Sequence, residues 1–191
     1  MKTQFRKATP DDAQKVWHIV WHTKNAIYPD YYTRAVVEYI DRYYTFDIIK
    51  NDIDQGRTRV LVKDGKIIGT GSRVDNHIMR VYVLPEFQGQ GFGSVIMDEL
   101  ENEIFADFDD CELEASLPAC IFYENRGYKT VKHVKEDIGN RECMIYEIMR
   151  KRNAKQLEHS IYVSGEDGKP PSPDFLYEIS IRFTHILPYL H

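Results

Sequence analysis

Apolar residues recur at three- and four-residue steps through Ala13, Val16, Trp17, Val20 and Trp21, so "TPDDAQKVWHIVWHT" predicts an amphipathic helix with one buried stripe. Thr9 as cap, Pro10 in the first turn, and Asp11 and Asp12 at the positive end of the helix dipole mark its start. Just before it, "QFRKA" alternates with the two-residue period of a short strand. The stretch from Arg34 to Gln55 continues in helical pattern. Between the two lies "NAIYPDYYT", where Pro29 and a group of tyrosines predict a structured loop.

Two β-branched runs flank Asp64-Gly65 in "TRVLVKDGKIIGTGSRV", which predicts an antiparallel hairpin with a tight turn. "HIMRVYVLP" predicts a further strand that stops at Pro85, whose missing N–H ends a ladder. From Gly91 the helical period returns through Phe92, Val95, Ile96, Leu100 and Ile104. "CELEA" then reads as a short strand, and "LPACIFYENRGY" as a short helix opened by Pro118 and closed by Gly127. "KTVKHVK" and "ECMIYEIMR" form a closing pair of strands around Gly139-Asn140. This order mixes meander and crossover, so the expected class is α/β, one mixed sheet with helices on its faces. The domain is expected over residues 1–152. From 153 to 191 a Gly/Pro/Ser loop leads into strand-like alternation at Leu176 to Phe183, an extension expected to pair with the sheet edge or with a second subunit in a homodimer.

Composition narrows the function classes. The 191 residues are 42% hydrophobic and 29% charged, ordinary for one globular domain with an appendage. A net charge of -5, a pI near 5.8 and no basic stripe give no long-range attraction to nucleic acid. The absence of an 18-residue apolar run or an apolar signal core predicts no membrane partner and a cytoplasmic location. Three unevenly spaced cysteines, Cys111, Cys120 and Cys143, suit neither a disulfide framework nor a C-x-x-C metal site. His18 and His22 stand at i and i+4, but without H-E-x-x-H or a third ligand no metal is expected.

The chemistry lies in "PEFQGQGFGSVIMDELENEI". Gly89, Gly91 and Gly93 precede a helix whose first N–H groups have no intrahelical partner, so this turn either satisfies backbone geometry alone or cradles an anion such as pyrophosphate. It fits neither the Walker nor the dinucleotide glycine pattern. It does read Q-x-x-G-x-G, as Gln88-Gly89-Gln90-Gly91-Phe92-Gly93, after "VYVLPEF". Some thirty residues on, "ASLPACIFYENRGYK" carries F-Y-E-x-x-G-Y. With these motifs, and in element order over roughly residues 3 to 150, the chain resembles the GNAT superfamily of acetyl-CoA-dependent N-acetyltransferases.

That resemblance implies a mostly antiparallel mixed sheet in which two adjacent parallel strands splay apart to bind acetyl-CoA. Its pyrophosphate would rest on the turn from Gln88 through Gly89, Gln90, Gly91, Phe92 and Gly93 to Ser94. Its pantetheine arm would pair with Val81, Tyr82 and Val83. Ser116 stands where many members carry an asparagine that contacts the cofactor. Tyr123 would protonate the leaving thiolate, a task suited to a phenol; packing alone is the other role open to it. The general base is left unassigned, with Cys111 at a position often used for it and Glu112 and Glu114 nearby. Tyr28, Tyr31 and Tyr32 are candidates for the wall around a small-molecule or peptide amine. A non-catalytic acyl-CoA sensor of the same fold is the alternative function.

Overall fold

A computed structural model describes residues 3–153 of the protein. The expected strand at Leu176 to Phe183 lies outside the described residues. Among the described residues seven strands form one sheet in the order β1-β2-β3-β4-β5-β7-β6: β1 (Thr3–Lys7), β2 (Thr58–Lys63), β3 (Lys66–Val74), β4 (His77–Val83), β5 (Asp110–Ser116), β6 (Lys129–Gly139) and β7 (Glu142–Arg152). All neighbours are antiparallel except β4 and β5. Among the described residues the α-helices are α1 (Ala13–Ile27), α2 (Arg34–Asp41), α3 (Phe46–Asp54), α4 (Phe92–Phe105) and α5 (Cys120–Asn125). None of the described helices is long and apolar enough to cross a membrane.

Period-two alternation divides the core between the two sheet faces. Val60 of β2 joins Ile67, Tyr82 and Leu84 under α1 and α3, where Val16, Ile19, Val20, Ile49 and Ile53 are buried. Leu61, its chain neighbour, joins Ile68, Ile78, Val83, Leu113 and Met149 on the opposite face, under Ile96, Met97, Leu100 and Ile104 of α4. The stripe seen in the sequence is real at Val16 and Val20, but Trp21 is 45% exposed and Ile19 takes the buried position. The sheet thus has helices on both faces, as expected.

Two local expectations need correction. The helix expected from Arg34 to Gln55 is two helices, because Thr45 interrupts it: its Oγ1 accepts from Ile48 N at 3.3 Å and starts α3 afresh. The expected loop "NAIYPDYYT" is mostly helical. α1 runs on to Ile27, and Tyr28–Asp30 is a 3-10 turn that Pro29 can enter without losing a needed donor. At the amino end, Asp12 accepts from Thr9 N at 2.8 Å and from Arg6 Nη1 at 2.7 Å, tying β1 to the start of α1. The Asp64-Gly65 turn has φ of 48° and 82°, the left-handed pair that a two-residue hairpin requires.

Two irregularities shape the centre of the sheet. From Thr70↔Tyr82 to Ser72↔Met79 the register advances two residues on β3 and three on β4, so β4 carries a bulge. Arg80, within it, has φ +50°, rare for a long side chain. Its guanidinium is held by Asp52 of α3, a buried carboxylate that also pairs with Arg57 at 3.0 Å. Beside the bulge, β4 and β5 pair only at His77↔Glu112 and Ile78↔Leu113. The ladder then stops, and residues 80–83 and 114–116 face each other across a gap.

Candidate active site

That gap opens into a cleft of about 390 Å³. Val81, Tyr82 and Val83 line it from β4, Glu114 and Ser116 from β5, Gln88 from the glycine turn, and Tyr123 from α5. Tyr28, Asp30 and Tyr31 close it from the turn after α1, and Tyr44 from the turn before α3. Nine of the residues singled out in the sequence therefore meet in one place. A larger groove of about 610 Å³ runs along α1 past His18, His22 and Glu86, away from Tyr123. The two histidine rings stack there at 5.6 Å, and no group of three metal-ligating side chains occurs among the described residues.

The glycine turn lies just past Gln88, whose side-chain amide donates to Val83 O at 2.8 Å and so fixes the turn to the end of β4. Gly89 and Gly91 have φ of +71° and +84°, conformations that a side chain would strain, and a Cβ at either would meet nothing within 4 Å. The room in front of this backbone is open. Gly91 is the N-cap of α4 and has no side chain to accept from the first helical amides, leaving the amides of Phe92, Gly93 and Ser94 without an intrahelical partner. Amides and helix dipole together suit an anion the size of a pyrophosphate.

Tyr123 is 7% exposed, packed edge-on between Phe122 at 5.2 Å and Tyr128 at 5.7 Å. Its helix is fixed from behind: Arg126 donates to Glu101 at 3.3 Å and to Asp98 at 2.6 Å, both on α4, and Tyr128 N closes back on Tyr123 O at 3.1 Å. Burial pushes its phenol well above the ordinary value, with the nearby Tyr28 and Tyr44 adding to the shift. It is therefore protonated at neutral pH. No protein group among the described residues bonds its hydroxyl, which is left for a ligand.

The two glutamates of β5 have separate fates. Glu112 is bound by Arg150 at 2.7 Å, with His77 at 4.0 Å. Glu114 lines the cleft with no ion pair or hydrogen bond among the described residues; it is reached by solvent through the cleft yet flanked by enough protein that desolvation raises its pKa, partly offset by His77. Cys111, at the position often used for a base, is fully buried on the other face, and burial holds its thiol at about 12. All three cysteines are free thiols.

Tyrosines account for most of the remaining wall. Tyr28 and Tyr82 hydroxyls lie 3.1 Å apart, and the Tyr44 ring meets Tyr82 edge-on at 6.1 Å. Tyr32 is placed differently from Tyr28 and Tyr31: its hydroxyl accepts from Leu117 N at 2.8 Å and donates to Ile145 O at 3.0 Å. Arg80 and Tyr44 are site residues that sequence reasoning missed. The bulge that turns Arg80 toward the cleft leaves no mark in the strand pattern. Glu114 was legible only as one of two carboxylates two residues apart on one strand face.

Solved proteins share this architecture. The fold is similar to the GCN5-related N-acetyltransferase from Rhodopseudomonas palustris, with a TM-score of 0.72, 22% identity, and coverage of 80% of this chain and 97% of that one. It is also similar to the PaiA N-acetyltransferase from Thermoplasma acidophilum, in complex with coenzyme A, at TM-score 0.64 and 20% identity over 80% of this chain and all (100%) of that one. YncA from Salmonella typhimurium, a structure with its cofactor acetyl-CoA, matches at TM-score 0.62 and 16% identity, covering 80% and 94%. The family model described as the acetyltransferase (GNAT) domain matches residues 27–143, more than half of the sequence and most of the residues that line the cleft, and the chain belongs to that family.

Proposed function

We propose that the protein is an acetyl-CoA-dependent N-acetyltransferase that modifies a primary amine of a small molecule or peptide, with both substrates held together in the cleft. The observation that carries this is the meeting, at the β4–β5 gap, of a glycine turn with free amides, a phenol with no protein partner and an unpaired carboxylate. Two of the similar structures hold coenzyme A or acetyl-CoA, which supports the choice of donor.

The residues fit that donor. The amides from Gly89 to Ser94 would hold the pyrophosphate, and the unpaired edge at Val81, Tyr82 and Val83 would take the pantetheine arm as an added strand, with Ser116 opposite. Acetyl-CoA, when bound, supplies an acyl group activated as a thioester. Glu114 takes a proton from the acceptor ammonium, so that the neutral amine can form its N–C bond. Tyr123 would give its hydroxyl proton to the sulfur as the C–S bond breaks, and the proton that the acylated nitrogen sheds would return through solvent to the phenolate, leaving a neutral amide and the thiol of CoA. The burial that raises the phenol raises the basicity of a thiolate beside it as well, so donor and acceptor stay matched. Tyr28, Tyr31 and Tyr44 wall the acceptor side.

Thermal melts and a thiol assay test this. Acetyl-CoA raises Tm, and free CoA appears when a panel of primary amines is added. Stabilisation by ATP and none by acetyl-CoA would sink the proposal. Tight acetyl-CoA binding without CoA release for any amine would make the protein a sensor.

A further inference from the structure

Tyr32 sits where three parts of the site converge. Its own segment, the turn from Tyr28 to Thr33, forms the acceptor wall; the Tyr28 ring lies 5.5 Å away from that of Tyr32 and itself lines the cleft. Its hydroxyl accepts from Leu117 N at 2.8 Å, at the head of the 3-10 turn (Leu117–Ala119) that runs directly into α5 and Tyr123. The same hydroxyl donates to Ile145 O at 3.0 Å on β7. A phenol is suited to this double duty because it can accept and donate at once, provided that it stays protonated. Burial raises it to about 12, so it does.

Leu117 follows Ser116, the last residue of β5 and part of the cleft lining. The bond from Leu117 N therefore reaches the point where the donor side of the cleft turns into the helix that bears the proton donor. Two further ties join the same side of the molecule to the β6–β7 hairpin: Thr33 Oγ1 donates to Glu142 at 2.9 Å, and Tyr39 OH to Glu136 at 2.6 Å. Neither touches the α5 turn. Tyr32 alone among these three residues bonds both the hairpin and the head of α5.

We infer that Tyr32 is a positioning residue: its hydroxyl fixes the acceptor wall against the head of the Tyr123 helix, setting amine and proton donor in register. This rests on the proposed transferase activity. A misplacement of about 1 Å between reacting groups costs up to a hundredfold in rate, so the register matters more than the two bonds themselves.

The test is Tyr32→Phe, which keeps the ring and deletes the hydroxyl, with Tyr39→Phe as the comparison that removes a tie not reaching α5. Full-length proteins are compared by acetyl-CoA titration calorimetry, steady-state kinetics with the best amine of the panel, and amide hydrogen exchange. For Tyr32→Phe the expected results are an acetyl-CoA Kd within about twofold of wild type, kcat lower by about ten- to a hundredfold, a raised acceptor KM, and faster exchange at Leu117. Tyr39→Phe leaves kcat and Leu117 exchange near wild type. Wild-type kcat and acceptor KM in Tyr32→Phe would overturn the inference. So would a loss of acetyl-CoA affinity in step with folding stability, which marks a merely structural bond. Should no amine be acetylated, the proposed function fails by itself, and Leu117 exchange decides this inference: unchanged protection in Tyr32→Phe overturns it.

Discussion

Gly71→Ala tests how the sheet places the glycine turn. Gly71 lies opposite the β4 bulge, beneath α4, and a Cβ built there would stand 2.7 Å from Leu100 Cδ1 and 2.8 Å from Ile96 Cγ2. Real Cβ contacts do not come that close, so something must move. Leu100 and Ile96 are both 0% exposed, which leaves their side chains little space to rotate into. The adjustment must fall on α4, whose first turn carries the candidate phosphate amides. Overpacking of this kind costs about 1–3 kcal/mol, and a urea titration at neutral pH should show a lowered midpoint at unchanged m. Acetyl-CoA affinity should fall as well, since the helix that moves is the one that starts at Gly91. Leu100→Ala relieves the closer of the two contacts, so the double variant should be more stable than the sum of the single losses by about 0.5 kcal/mol or more. A Gly71→Ala protein within about 0.5 kcal/mol of wild type, or strict additivity with Leu100→Ala, would refute close packing as the reason for this glycine.

Other expectations follow from the charged groups. Asp12 titrates near 2 rather than 3.8, held down chiefly by Arg6 with help from Thr9, and its side chain is 8% exposed. Its folded pKa is depressed, so its contribution of about 2 kcal/mol is fully present above roughly pH 5 and is lost as pH falls toward 2; urea titrations across that range should be flatter for Asp12→Asn. Glu114 is raised by desolvation, so an ionised carboxylate there costs stability that grows as pH rises through its folded pKa. Glu114→Gln should therefore be slightly more stable than wild type at pH 7 while losing kcat and the acid limb of its pH–rate profile. A variant that keeps both would remove Glu114 from the role of base.

Element order was legible from periodicity and punctuation because the strands and α4 carry strong local signals: the Asp64-Gly65 turn, Pro85, the glycine run, and Pro118 with Gly127 around α5. The break at residues 42–45 was not, since Tyr43 and Tyr44 continue an apolar pattern that a helix would also show; the turn exists because Thr45 caps the next helix and Tyr44 packs on Tyr82. The proposed cofactor side of the cleft was readable in two motifs whose spacing is fixed by one turn and one short helix. The proposed acceptor side was not, because its geometry depends on a bulge at Arg80, an ion pair to Asp52 and hydroxyl contacts spanning up to 113 residues, as from Tyr32 to Ile145. Such contacts leave no periodic trace. Tyr28 and Tyr31 could be chosen by their place on a turn, but nothing in the sequence separates them from Tyr32, whose hydroxyl is engaged elsewhere.

The most direct measurement is single-turnover transfer by Tyr123→Phe with acetyl-CoA bound and a reactive amine in excess. The expected result is an acetyl-CoA Kd near that of wild type and a transfer rate lower by about a hundredfold, the usual scale for loss of a general acid. An unchanged rate would contradict it, and would return Tyr123 to the packed aromatic between Phe122 and Tyr128.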